Sequence, residues 1–143
     1  MPPKDEVNMI QVTKAGEYGL RAIAYLVNQG PDAKISIAEI SQSRQIPEPY
    51  LRKLLKPLIQ KGIVVSIRGV AGGVMLGRPL EEITLLEVVE ALEGPISLNT
   101  CLVHGASCQF IGDCGMHPVW SEAQEAMFEV LRHKNLTSLL DDA

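Results

Sequence analysis

The sequence lacks the features that define several large classes of protein. No apolar run approaches the roughly 18 residues needed to span a bilayer. The first eight residues, MPPKDEVN, lack the basic and then apolar build of a signal peptide. Neither a phosphate-binding loop nor a nucleophile–base pair stands out, and 143 residues allow one modest core. These absences predict a cytoplasmic protein with no membrane partner, and they argue against an enzyme.

Closely spaced cysteines are also missing. The three cysteines, Cys101, Cys108 and Cys114, are separated by six and five residues. Zinc ribbons and fingers use Cys-x2-4-Cys pairs, and redox dithiols use CxxC, so this spacing excludes both. Three thiolates in an irregular segment can instead hold an iron–sulfur cluster. His117 could then be a fourth ligand, although a lone histidine also caps helices or lies in water. The cysteines could alternatively be cluster-free redox thiols or small buried hydrophobes.

The charge is divided unevenly along the chain. The net charge is -4, which by itself argues against binding to a polyanion. Residues 9–80, however, contain ten Lys or Arg and four acidic residues, whereas residues 81–143 contain two and eleven. This division favours a basic front half that meets a polyanion and an acidic back half that faces away. Two ordinary solvated faces are the alternative.

Residues 9–80 have the pattern of a winged helix-turn-helix domain. Thr13 can cap a first helix that ends near Gln29, and a Ser36–Glu39 capping box begins a second that ends near Ser43. A third helix is predicted over residues 47–61, with Gly62 as its left-handed stop. The β-branched run at 63–68, the glycine-rich turn at 69–73 and the return at 74–76 predict a β-hairpin.

The third predicted helix has one apolar and one basic face. Its predicted apolar positions are Tyr50, Leu51, Leu54, Leu55, Leu58 and Ile59, and its outer positions are Arg52, Lys53, Lys56 and Gln60. Arg68 lies near the hairpin tip. The order of elements, the basic face and this arginine agree with DNA binding. A small α+β domain with a merely solvated third helix would show the same helix pattern.

The back half is predicted to hold a site and an interface. A Thr84–Glu87 capping box begins a helix that ends at Gly94-Pro95. Residues 95–117 then lose regular periodicity and contain the cysteines, and a long loop of this kind is usually functional or disordered. A last helix is predicted over 118–135, where Val119, Ala123, Ala126 and Val130 form a near-heptad seam. That seam suits a second copy of the chain, although it could pack on its own domain.

The predicted fold is therefore mainly α with a small β-hairpin wing. It comprises a winged helix-turn-helix DNA-binding domain over 9–80 and a second part over 81–143. This second part contains the cluster-binding loop (95–117) and a dimerisation helix (118–135).

Several segments together resemble the IscR/NsrR/RirA (Rrf-type) family of winged-helix regulators. They are TKAGEYGLRA at 13–22, IPEPYLRKLL at 46–55, SIRGVAGGVMLG at 66–77, and the three-cysteine segment. The resemblance implies a homodimeric transcription factor whose iron–sulfur cluster controls binding to a palindromic operator in double-stranded DNA. It also implies that the third helix enters the major groove while Arg68 reaches toward the minor groove, where negative potential concentrates. The implied DNA-binding residues are Tyr50, Arg52, Lys53, Lys56, Arg68, Gly72 and Gly73.

The resemblance also implies a set of cluster ligands. Cys101, Cys108 and Cys114 match the three family cysteines, and the Cys-x2-His pattern of the IscR branch makes His117 a ligand of a [2Fe-2S] cluster. Other family members complete a site with a carboxylate from the partner's first helix, which here would be Glu17 of the partner subunit and would suit a [4Fe-4S] cluster. Glu17 could equally be a solvated residue. The first cysteine gap has six residues where IscR-like sequences usually have five, so the cluster type stays open.

Overall fold

The computed structural model describes residues 13–97 and 115–141. The helices are α1 (Lys14–Gln29), α2 (Ile37–Arg44), α3 (Glu48–Gln60), α4 (Leu85–Glu93) and α5 (Met116–His133), and the strands are β1 (Val64–Ile67) and β2 (Gly73–Leu76). This arrangement confirms the mainly helical fold with a hairpin wing. Two 3-10 turns, Leu80–Glu82 and Leu136–Leu139, were not predicted. The predicted cluster loop at 95–117 lies largely outside the described residues, including all three cysteines.

The first helix is set by its cap and its buried face. The Thr13 side chain accepts a hydrogen bond from the Gly16 N–H at 3.3 Å, which satisfies one of the unpaired donors of the first turn. Gly30, at φ +113°, ends the helix. Its buried face consists of Gly16, Gly19, Ala22, Ile23, Leu26 and Val27. The predicted bounds of α1 are therefore confirmed.

The turn between α2 and α3 orients the third helix. Ser36 caps α2, but the Glu39 carboxylate accepts a hydrogen bond from the Tyr25 hydroxyl at 2.8 Å, a tertiary contact that the predicted capping box did not include. Gln45 adopts a left-handed conformation at φ 55°, and the following Ile46 is buried in the core. Pro47 then precedes the first turn of α3 and fixes its entry direction.

The wing, residues 64–76, is an antiparallel hairpin joined to the helical part. Val64 pairs with Leu76 and Ile67 pairs with Gly73. Ile35, just before α2, forms an antiparallel bridge with Val74, with N–H···O distances of 2.9 and 2.8 Å. The hairpin is therefore fixed to the segment that leads into the helix-turn-helix.

The hydrophobic core extends beyond residue 80. Ile83, Val88 and Leu136 are fully buried in the same cluster as three leucines of α3, which are Leu51, Leu55 and Leu58. The Leu136 N–H donates to the Ile83 carbonyl at 3.0 Å. Asn28 of α1 donates to the Leu139 carbonyl at 2.9 Å and accepts from the Asp141 N–H at 2.8 Å. The residues after α5 therefore return to the helix-turn-helix part and complete its core.

Helix α4 begins with the predicted capping box, and both of its hydrogen bonds are present between Thr84 and Glu87. Arg78 also donates to the Glu87 carboxylate at 2.8 Å. Partial burial raises the pKa of Glu87, but hydrogen bonds from the Thr84 backbone and from Arg78, and the positive charge of Arg78, outweigh it. The pKa of Glu87 is therefore lowered.

Helix α5 differs from its prediction in its bounds and is largely exposed. It begins at Met116 and ends at His133, so it lies two residues earlier than the predicted 118–135 and includes His117 in its first turn. The unexpected end is explained by Asn135, which caps the following 3-10 turn. No residue of α5 is buried, and Val119 and Val130 are 50% and 58% exposed. In the described part of the chain, no helix is long and apolar enough to cross a membrane.

Candidate nucleic-acid interface

Helix α3 presents a cationic face to solvent. Leu51, Leu54, Leu55 and Leu58 are buried, which fixes the rotation of the helix. Arg52, Lys53 and Lys56 are exposed on the opposite side, as predicted from their spacing. Ile59 was predicted to face the core but is 38% exposed, because it lies at the edge of the leucine stripe. The buried and exposed faces of α3 are therefore separated along its length.

Arg52 is held by its own helix. Its guanidinium donates to the Glu48 carboxylate at 2.8 Å, one turn earlier, while its side chain is 61% exposed. Ion pairs of this kind contribute little to stability, about 0.3–0.5 kcal/mol. Arg52 can therefore exchange Glu48 for another anion at low cost.

Tyr50 connects α3 to α1. Its ring meets the Tyr18 ring edge to face, with centroids 5.6 Å apart and an interplanar angle of 84°. The Arg21 guanidinium lies 5.0 Å from the Tyr18 ring centroid, and the Lys14 ammonium lies 5.8 Å from it. We call Lys14, Tyr18, Arg21 and Tyr50 the tyrosine cluster. It places two cations beside the first turn of α3.

A third cation, Arg44 at the end of α2, lies over an aromatic ring of α1. The Arg44 guanidinium is 5.0 Å from the Tyr25 centroid, and the Arg44 carbonyl accepts a hydrogen bond from Arg21 at 3.4 Å. The sequence pattern alone did not place Lys14, Tyr18, Arg21 or Arg44 at the interface. The i, i+3 spacing of Tyr18 and Arg21 was a usable signal, but the approach of α1 to α3 is a tertiary contact.

The tip of the wing carries Arg68 and an apolar residue. Arg68 directly follows β1 and is exposed, and Val70 is fully exposed beside it. The two predicted interface glycines have roles within the wing. A Cβ at Gly72 would lie 2.4 Å from the Ile67 carbonyl oxygen, and one at Gly73 would lie 2.3 Å from the Ile35 oxygen. These glycines fix the shape of the wing that presents Arg68.

Two of the predicted cluster ligands lie within the described residues. His117 is half-buried in the first turn of α5, and its buried Nδ1 atom has no hydrogen-bond partner among the described residues. Buried polar atoms in proteins are nearly always paired, so this nitrogen is suited to a ligand. Glu17 lies in the first turn of α1 with a 53% exposed side chain, and its carboxylate is 3.8 Å from the Lys14 ammonium. Cys101, Cys108 and Cys114 lie outside the described residues.

Comparisons with known proteins give the same family as the sequence motifs. A family model described as "Rrf2: Iron-dependent Transcriptional regulator" matches residues 12–142. The chain is 35% identical over 133 residues to protein aau3 of Rhizobium meliloti (strain 1021), and the match covers 92% of this chain and 85% of that protein.

Solved structures that resemble this chain also include regulators of this kind. The global cysteine regulator CymR (YrzC) of B. subtilis has a TM-score of 0.75 and 31% identity, with 92% of this chain and 96% of that chain covered. IscR of T. potens has a TM-score of 0.71 and 26% identity, with 90% and 84% covered. Regulators of the Rrf2 family bind DNA and function as dimers. The chain therefore belongs to the Rrf2 family and is a transcriptional regulator, not an enzyme.

Proposed function

We propose that this regulator binds a palindromic DNA operator as a homodimer in the cytoplasm, and that an iron–sulfur cluster held by its cysteine segment controls the binding. In this proposal α3 is the recognition helix and enters the major groove, with Arg52, Lys53 and Lys56 toward the DNA. Arg68 of the wing reaches the adjacent minor groove. Two-fold symmetry of the dimer accounts for a palindromic site.

The separation of the two faces of α3 carries the DNA-binding part of the proposal. The four leucines on one face of α3 are buried, and this fixes the rotation of the helix. The three exposed cations are therefore held on a helix of fixed orientation. The tyrosine cluster adds Lys14 and Arg21 beside the start of this helix. Cations beside a recognition helix suit phosphate contacts, which position a protein on DNA without reading its sequence.

An affinity series tests this interface. Wild-type protein is used to enrich binding sites from a randomised duplex library, and the enriched duplex is then titrated with variants at several salt concentrations. We expect a palindromic sequence, and we expect Arg68→Ala to weaken binding about tenfold with a smaller salt dependence. Lys134→Ala is the matched control, because Lys134 is an exposed cation after α5. Failure to enrich any sequence, or equal losses in both variants, would contradict the proposed interface.

The buried His117 nitrogen supports the cluster part of the proposal. An imidazole Nδ1 that has no partner within residues 13–97 and 115–141, and that follows the cysteine segment in sequence, fits the nitrogen ligand that complements three thiolates. Cys101, Cys108, Cys114 and His117 would hold the cluster, and [2Fe-2S] is the favoured type. When bound, it would supply a group sensitive to redox state, nitric oxide or iron supply. A [4Fe-4S] cluster with Glu17 of the partner subunit is the alternative.

Native mass spectrometry of protein purified without oxygen tests the ligand set. We expect a dimer with one [2Fe-2S] cluster per subunit and loss of that mass in Cys108→Ala. His117→Ala should lose or weaken the cluster, whereas Glu17→Gln should keep it. A [4Fe-4S] mass that is lost when Glu17 is substituted would show that Glu17 of the partner subunit, and not His117, is the fourth ligand. Metal-free protein after reconstitution, with peroxide-dependent thiol oxidation, would instead establish a cluster-free thiol sensor.

A further inference from the structure

The last residue of α4 holds the first turn of α1. The backbone N–H and the hydroxyl of Thr13 both donate to the Glu93 Oε1 atom, at 2.9 and 2.8 Å. Thr13 in turn caps α1 through the Gly16 N–H. Hydrogen bonds to a charged acceptor are stronger than neutral ones. The cap of α1 is therefore attached to the C-terminal end of α4.

A close approach of the two helices reinforces this attachment. Gly19 of α1 faces Leu92 of α4, and a Cβ at Gly19 would lie 2.4 Å from a Leu92 methyl group. The absence of a side chain at Gly19 allows this contact. Because close-packed elements shift together, a displacement at the end of α4 would move the first two turns of α1.

Those turns of α1 contact the recognition helix. Tyr18, between Thr13 and Gly19 in sequence, meets Tyr50 in the first turn of α3 edge to face. Arg21 stacks on Tyr18 and also donates to the Arg44 carbonyl at the end of α2. The same turns of α1 therefore contact both helices of the helix-turn-helix.

We infer that Glu93 is a positioning residue that sets the placement of the recognition helix through Thr13, the N-terminal turns of α1 and the Tyr18–Tyr50 contact. Glu93 precedes the cysteine segment in the sequence, and α4 also packs against α5, which follows that segment. One part of this inference rests on the proposed function, namely that a change in the cysteine segment alters the DNA-binding face through the Glu93–Thr13 contact. The Glu93–Thr13 contact itself is made by residues of this chain alone.

Hydrogen exchange of the metal-free protein tests the positioning role directly. We expect Glu93→Ala to raise exchange in peptides from α1 and in peptides that span residues 46–55, which include the first turn of α3. Glu93→Gln keeps an acceptor for Thr13 and should restore most of the protection. Glu90→Ala, which removes the same charge from the same helix, is the matched control. An increase confined to the vicinity of Thr13, with no change in residues 46–55, would overturn the inference.

DNA affinity then tests the coupling. The ratio of dissociation constants between cluster-free and cluster-loaded protein is measured on the enriched duplex for each variant. We expect Glu93→Ala to move that ratio toward one by about fivefold or more, with Glu90→Ala unchanged. If the two dissociation constants of the wild type are equal, the cluster does not control DNA binding. The positioning role of Glu93 is then decided by the hydrogen-exchange result alone. A normal wild-type ratio that Glu93→Ala preserves would exclude Glu93 from the coupling.

Discussion

The helix-turn-helix part and α5 differ in whether their apolar side chains are buried within one chain. In α3, four leucines are buried within one chain, and the core that receives three of them also takes Ile83, Val88 and Leu136 from the back half. In α5, which is longer than α3 and fully described, no residue is buried, although it carries Val119 and Val130 on one seam.

This difference leaves α5 with an apolar seam that the described part of the chain does not cover. Most helical stability in proteins comes from packing of an apolar face rather than from intrinsic propensity. Helix α5 contacts α4 along one side but leaves its valine seam in solvent. Regulators of this family function as dimers, and we propose that a second copy of the chain buries that seam.

The largest expected effect is in the core of the helix-turn-helix. We expect Leu51→Ala to lower the free energy of unfolding by about 3 kcal/mol, because it creates a cavity at a fully buried site. Chemical denaturation measures the change. Its exposed neighbour in α3 gives the control, since Lys53→Ala should change stability by less than about 0.5 kcal/mol. Similar losses in the two variants would show that α3 is not oriented as described.

A charge on the α5 seam should affect assembly and spare the fold of each chain. We expect Val130→Asp to convert dimer to monomer in sedimentation velocity, because a carboxylate would have to be buried between the two helices. Ser121→Asp adds the same charge at an exposed position off the valine seam and should leave the dimer intact. A dimer that tolerates Val130→Asp would show that the partner covers another surface.

The smallest expected effect lies in α4, which joins the two regions. The lowered pKa of Glu87 means that the ionised form stabilises the folded chain above the ordinary glutamate pKa, and that this contribution is lost as the pH falls through the lowered value. Glu87→Gln keeps the capping-box geometry but removes the charge that faces Arg78. We expect its Tm to be lower than wild type by about 1–3 °C at pH 7, and the difference to vanish once the pH falls below the lowered pKa of Glu87.

Thermal melts at several pH values measure this effect, with Glu90→Gln as the control for loss of a charge alone. A difference that grows as the pH falls would contradict the assigned sign.

Much of the fold could be predicted from local patterns. Thr13, Thr84 and Gly62 mark helix ends through hydrogen bonds and backbone conformations that involve only neighbouring residues, so α1, α4 and the end of α3 were predicted closely. The spacing of the leucines in α3 fixed its basic face for the same reason. The three cysteines and the wing motif are sufficient to indicate the family.

Other features depended on residues distant in the sequence. Glu39 bonds to Tyr25 rather than completing a local box, and Ile59 lies at the edge of a core whose extent the helix alone does not define. The tyrosine cluster and the Glu93–Thr13 contact join segments that are 32 and 80 residues apart.

The sequence by itself therefore determined the ends of α1 and α4, the basic face of α3 and the family, because these follow from interactions within a few residues. Only the tertiary structure decided which cations lie beside the recognition helix and which residue holds α1 in place. Such contacts depend on how helices pack in three dimensions, and no short-range pattern encodes that packing.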